Sequence, residues 1–132
     1  MKANDLRIGN WIRYEDKLVQ VVQLSSLMIL CQRDENQFLV NHEPEIFQPI
    51  ELTEDILIKI GFKKNIIYGS TIEYLPINND LVSVFCTKEK QNIKIQIVCE
   101  NATETIVKYI KYIHQLQNAY YCLTGQELKV EL

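Results

Sequence analysis

The chain has 132 residues, 47% of them hydrophobic and 23% charged, with four glycines and three prolines; this is the composition of a folded chain, not of a disordered or low-complexity one. Its formal net charge is −3, with five Lys/Arg against seven Asp/Glu in residues 1–50, six against seven in 51–100 and three against three in 101–132. No segment has the basic excess of a nucleic-acid or anionic-membrane surface, and no apolar run is long enough to span a bilayer.

The opening MKANDLRIGNWIRYEDK is charged and holds no apolar leader segment, so a cytoplasmic location is expected. Cys31, Cys86, Cys99 and Cys122 are widely separated, with no Cys-x-x-Cys pair and no Cys/His cluster. They read as reduced, mostly buried thiols, and neither a metal nor a cofactor is implied.

Residues 1–50 read as all-β. Trp11 to Tyr14, Leu18 to Leu24, Leu27 to Gln32, Phe38 to Val40 and Ile46-Phe47 are short extended pieces. The polar breaks Glu15-Asp16-Lys17, Ser25-Ser26 and Arg33-Asp34-Glu35-Asn36 divide them. A short helix follows Thr53, which is suited to cap it. Glu54 and Asp55 stand in its first turn, Ile56, Leu57 and Ile60 form its apolar face, and Gly61 ends it. Further strands are expected at Ile66 to Tyr68, Thr71 to Leu75, Leu81 to Thr87 and Ile93 to Cys99, the last alternating cleanly.

From Thr105 to Gly125 the spacing predicts one long helix. Ile106, Tyr109, Ile110, Ile113, Leu116, Tyr120 and Leu123 fall on one side at 100° per residue. Asn101 and Glu104 suit a capping box, and Gly125 suits a left-handed C-terminal position. The tail Gln126 to Leu132 alternates and could add an edge strand. The expected fold is therefore α+β: a small barrel or bent sheet over 1–50, then a short helix and an antiparallel sheet covered by one long C-terminal helix over 51–132, packed as one unit.

Two resemblances add to this. Arg7-Ile8-Gly9-Asn10-Trp11-Ile12 is similar to the first turn and strand of many SH3-like barrels, which implies a barrel of that type at the N-terminus. The strings LRIGNWI, PIELTEDILIKIGF and YIHQLQNAYYCLTGQEL, in that order, resemble a family of small uncharacterised proteins of anaerobic gut bacteria and their phages or mobile elements. That resemblance implies a phage-related, cytoplasmic protein and brings no site residues with it.

Candidate chemistry centres on His114, Gln115, Gln117 and Asn118. On a helix, Gln117 lies near the middle of the apolar stripe and His114 at its edge, where both would hydrogen-bond a facing sheet or loop. The sharper alternative makes His114 a general acid or base. The aromatics Trp11, Tyr14, Phe38, Tyr68 and Tyr74 could lie on a sheet surface, with Arg7, Arg13, Lys17 and Arg33 as the nearby cations and acids among them. On the outer side of the helix, Tyr112, Ala119 and Cys122 form a strip that could meet an unidentified protein partner or a second copy in a weak homodimer. The functional expectation is a non-enzymatic protein-interaction module. A nucleic-acid-binding accessory protein and a small enzyme using His114 are the alternatives.

Overall fold

Two tight turns organise the first sheet. A computed structural model describes residues 5–41, 46–66, 72–75, 82–89, 92–99, 106–130 and 132. Glu15 and Asp16 both adopt left-handed backbone, φ +47° and +60°, as the two-residue turn between twisted strands requires. They join β1 (Trp11–Tyr14) to β2 (Lys17–Leu24). Asp34, φ +53°, begins the equivalent turn between β3 (Met28–Arg33) and β4 (Asn36–Asn41). Ser25 closes the intervening bend: its hydroxyl accepts from Met28 N at 2.9 Å and donates to Met28 O at 2.8 Å. β5 (Phe47–Gln48) pairs with β1, giving a five-stranded antiparallel sheet in the order β4-β3-β2-β1-β5.

Period-2 alternation then sorts the side chains. Ile12, Val19, Val21, Ile29, Cys31 and Val40 are buried on one face, and with Leu6 and Phe47 they form a single apolar cluster. A bulge between Val21 and Gln23 shifts the phase of β2, so that Leu24, opposite Ile29, is the next residue packed against the cluster. The sheet is open, with β4 and β5 at its ends. The N-terminal part is thus β-structured as expected, but its strands do not close into a barrel.

The chain divides into two compact units: residues 1–51 with 112–118, and 52–111 with 119–132. The return of 112–118 to the first unit was not foreseen.

In the second unit, α1 (Glu54–Lys59) has the caps its sequence announces. Thr53 Oγ1 accepts from Ile56 N at 3.3 Å. At the other end Phe62 N donates to Leu57 O and Gly61 N to Ile58 O, both at 3.0 Å, around Gly61 at φ +99°. That 6→1 and 5→2 pair is a Schellman motif, with glycine at the left-handed position. β6 (Lys63–Ile66), β7 (Ile72–Leu75), β8 (Val82–Glu89), β9 (Asn92–Cys99) and β10 (Ile106–Ile110) follow as an antiparallel meander in the order β10-β9-β8-β7-β6.

Here the structure corrects the sequence reading. Residues 106–110 are not the start of a long helix but a strand, paired with β9 from Ile106↔Ile97 to Ile110↔Ile93. The helix, α2, begins only at Ile113 and ends at Thr124. The segment Ile-Val-Lys-Tyr-Ile fits both periods, and its β-branched residues favour the pleated one once a partner strand is available. The expected caps Asn101 and Glu104 and the residue Tyr68 lie outside the described residues. Gly125 takes its expected place: φ is +68° and its N–H donates to Tyr121 O at 2.8 Å. Residues 127–130 form no strand, although Leu128 and Val130 are buried.

Ile113 opens α2, donates its N–H to Ile50 O at 3.0 Å and is 0% exposed. Ile113→Ala is expected to cost about 2–5 kcal/mol in urea unfolding, the range for emptying a fully packed aliphatic site. A loss below about 0.5 kcal/mol would show that the side chain is not packed.

Candidate functional site

The polar residues singled out on α2 separate into different roles. Gln117 is 1% exposed, and both ends of its amide are used. Oε1 accepts from Trp11 N at 3.0 Å, and Nε2 donates to Gly9 O at 3.0 Å. A group that bonds the carbonyl before Asn10 and the N–H after it occupies the place of a residue in a parallel neighbouring strand. The side-chain amide of Gln117 therefore substitutes for a strand at this point.

The receiving turn is built to present those groups. Arg7 N donates to Asn10 Oδ1 at 2.8 Å and Asn10 N to Arg7 O at 3.2 Å, while Gly9 turns at φ +90°, a conformation that resists a side chain. Gly9 N donates to Val21 O at 2.7 Å and Val21 N to Asn10 O at 2.9 Å, fixing the turn to β2. Gly9 O accepts a second bond from Gln20 Nε2 at 3.2 Å. Asn10, fully buried, donates from Nδ2 to Asn118 Oδ1 at 3.0 Å, and Asn118 Nδ2 donates to Asp5 O at 2.9 Å. Gln117 and Asn118 thus hold the Asp5–Trp11 segment, a structural role with every amide satisfied.

His114 is different. It is 3% exposed, its Nδ1 has no hydrogen-bond partner, and its ring stacks on Tyr112 with centroids 5.7 Å apart. Burial lowers its pKa from the ordinary value; the Asp5 carboxylate opposes that shift. A buried imidazole held neutral offers no exposed face to a substrate, so this geometry does not support His114 as a general acid or base.

Tyr112 precedes α2 rather than lying on its outer side. It forms an isolated antiparallel bridge with Glu51 and is half-buried. Ala119 is half-buried and Cys122 exposed. The strip read from helical spacing accordingly loses its first member to the bridge.

The structure also brings together residues that the sequence had only noted separately. The turns at Glu15–Asp16 and Asp34–Glu35 lie at the same end of the first sheet, and between them is an open cleft of about 430 Å³. Tyr14, Val19 and Phe38 give it an apolar side; Glu15, Lys17, Arg33, Asp34 and Asn36 give it a polar one. The Tyr14 ring is fixed from two directions, tilted against Phe38 and against Phe47, each with centroids 5.7 Å apart. Partial burial, then the neighbouring Glu15, raises the Tyr14 pKa, so the phenol stays protonated and able to donate. Arg33 and Asp34 approach to 3.8 Å on the exposed rim, a contact of small energetic weight. Beneath, Cys31 is a buried thiol pushed up to about 11 by desolvation, which makes it a packing group and not a nucleophile.

Among the described residues no cluster of His, Cys, Asp or Glu could hold a metal ion, and no helix is long and apolar enough to cross a membrane. No protein-family model, curated protein or solved structure matches the chain.

Two measurements check the assignment of the α2 residues. Gln117→Leu keeps the volume but strands the Trp11 N–H, and is expected to cost about 1–3 kcal/mol in urea unfolding; a neutral effect would contradict the strand-like role. The lowered His114 pKa means that the unfolded chain binds this proton more readily than the folded one. Its contribution is complete above the unfolded value and is lost as pH falls through the folded one. Wild-type stability should therefore decline on acidification from about pH 7, beginning near about 6.5, and His114→Gln should flatten that part of the profile. Identical slopes for the two proteins would refute the linkage.

Proposed function

We propose that the chain is a non-enzymatic protein-interaction module of phage or mobile-element origin, acting in the cytoplasm, and that a short polypeptide segment occupies the cleft between the two turns. The observation that carries this is the make-up of the cleft: the aromatic pair Tyr14 and Phe38 beside two cations, Lys17 and Arg33, and two anions, Glu15 and Asp34. A polypeptide can meet such a surface with an apolar side chain, charges of either sign and its own backbone. A phosphate backbone would gain from the cations only what it loses to the anions, so the accessory nucleic-acid role has weaker support. The origin and the location rest on the resemblance carried by three strings of the sequence. An SH3-like ancestry for the first unit belongs to the same proposal. Its support is the LRIGNWI opening and the aromatic cleft, the kind of groove in which such domains take extended proline-rich segments.

Panning a random peptide library on the wild-type protein tests the reading. Peptides sharing a common sequence are expected, and Lys17→Glu, on the cleft rim, should weaken their binding about tenfold or more. If no sequence is enriched, or if a mixed oligonucleotide binds instead and weakens steeply from about 50 to about 200 mM salt, the peptide reading fails.

A further inference from the structure

Strand β4 ends the first sheet. Among the described residues no strand pairs on its far side, and Leu39 near its middle is 61% exposed. Edge strands of soluble proteins are ordinarily guarded by a lysine, a proline, a bulge or extreme shortness. β4 reads Asn-Gln-Phe-Leu-Val-Asn, six residues without charge or proline, and the irregularity of this sheet lies between β2 and β3 instead. The register identifies the unused backbone groups. Arg33 and Asn36 flank a two-residue turn, and the pair closing such a hairpin is of the hydrogen-bonded kind. Alternation from there directs the N–H and C=O of Gln37, Leu39 and Asn41 away from β3.

We propose that this edge pairs, antiparallel, with β4 of a second copy of the chain, with Leu39 opposite the partner's Leu39. The choice of a second copy rests on self-complementarity. A two-fold axis normal to the sheet keeps each side chain on its own face, so residues of one alternation class meet only their own class. Centring the axis at Leu39 extends the row Leu30↔Leu39 into the partner's Leu39 and the partner's Leu30. On the other face, Cys31↔Phe38 continues into the partner's Val40 and the partner's Ile29; on the face of Leu39, Gln37 meets the partner's Asn41. Apolar thus meets apolar and amide meets amide from Gln37 to Asn41. The neighbouring registers lack this match. Centring on Phe38 sets Leu39 against the partner's Gln37 and Val40 against the partner's Asn36; centring on Val40 sets Leu39 against the partner's Asn41. No like charges oppose each other, because β4 carries none and the only charge on β3 is Arg33 at the turn. The pairing does not depend on the peptide reading of the cleft, and its test reads molecular mass rather than peptide binding.

Sedimentation equilibrium of the full chain should show a mass rising with concentration toward twice that of one chain. Leu39→Lys and Leu39→Glu alter an exposed side chain, so each is expected to keep the wild-type circular dichroism. Each places like charges opposite one another and should raise the dimer Kd about tenfold or more. Mixing the two variants should restore the dimer, because Lys then faces Glu only if position 39 meets position 39. Asn41→Pro removes one outward N–H without adding charge, and should weaken the dimer by itself; it serves if a Leu39 variant fails to fold. A wild type that stays a single chain at high concentration, a dimer indifferent to these substitutions, or a mixture no tighter than its components would overturn the proposal.

Discussion

The first unit depends on one primary amide. Gln117 satisfies a carbonyl and an N–H that the Gly9–Trp11 backbone presents side by side, and it does so from a helix more than a hundred positions later in the chain. Apolar packing alone would let that turn slide or rotate against the helix. Two directional bonds in a buried setting allow one register, because a displaced turn would strand a buried donor and a buried acceptor together. Asn10 and Asn118 repeat the constraint one residue along, joined to each other and each tied to backbone. The network is complete, so it specifies the arrangement without leaving a polar group to be solvated.

The same unit ends differently at its two-residue turns. There the backbone is fixed locally, by left-handed residues at Glu15, Asp16 and Asp34, and the side chains are free to face outward. The Tyr14 ring reaches from this exposed end to Phe47 in the apolar cluster, so the floor of the cleft is anchored in the core while its charged rim is not. A packed apolar floor with an exposed charged rim suits recognition of side chains more than covalent chemistry, for which reacting groups must be held in place.

Much of this was legible in the residues. Thr53, Gly61 and the two polar turns announce themselves, because capping and hairpin chemistry are local and act through a few adjacent groups. The angular position of Gln117 showed that its amide had to be satisfied in a buried place. The identity of its partners was not legible, since nothing local to Gln117 refers to Gly9 or Trp11. The excess length given to the C-terminal helix has a similar origin. Ile106, Tyr109 and Ile110 fit a helical stripe as well as a strand, and only the partner β9 decides between them. Tyr14, Phe38, Lys17 and Arg33 were each visible, but their meeting around one cleft depends on two hairpins ending at the same edge, a property of topology rather than of spacing.

The division of α2 between the units has a bearing on how the protein is made. Residues 112–118 complete the unit to which residues 1–51 belong, and the closing contacts span 108 positions. At translation rates of about 5–20 residues per second, the Asp5–Trp11 turn waits about 5–20 s for its partner side chains. Through that interval the part of the chain synthesised first is the part that cannot finish. A ribosome paused in the second unit would therefore hold out an N-terminal sheet whose hairpins are paired but whose opening turn still bonds water, a species for chaperones rather than for binding partners to meet.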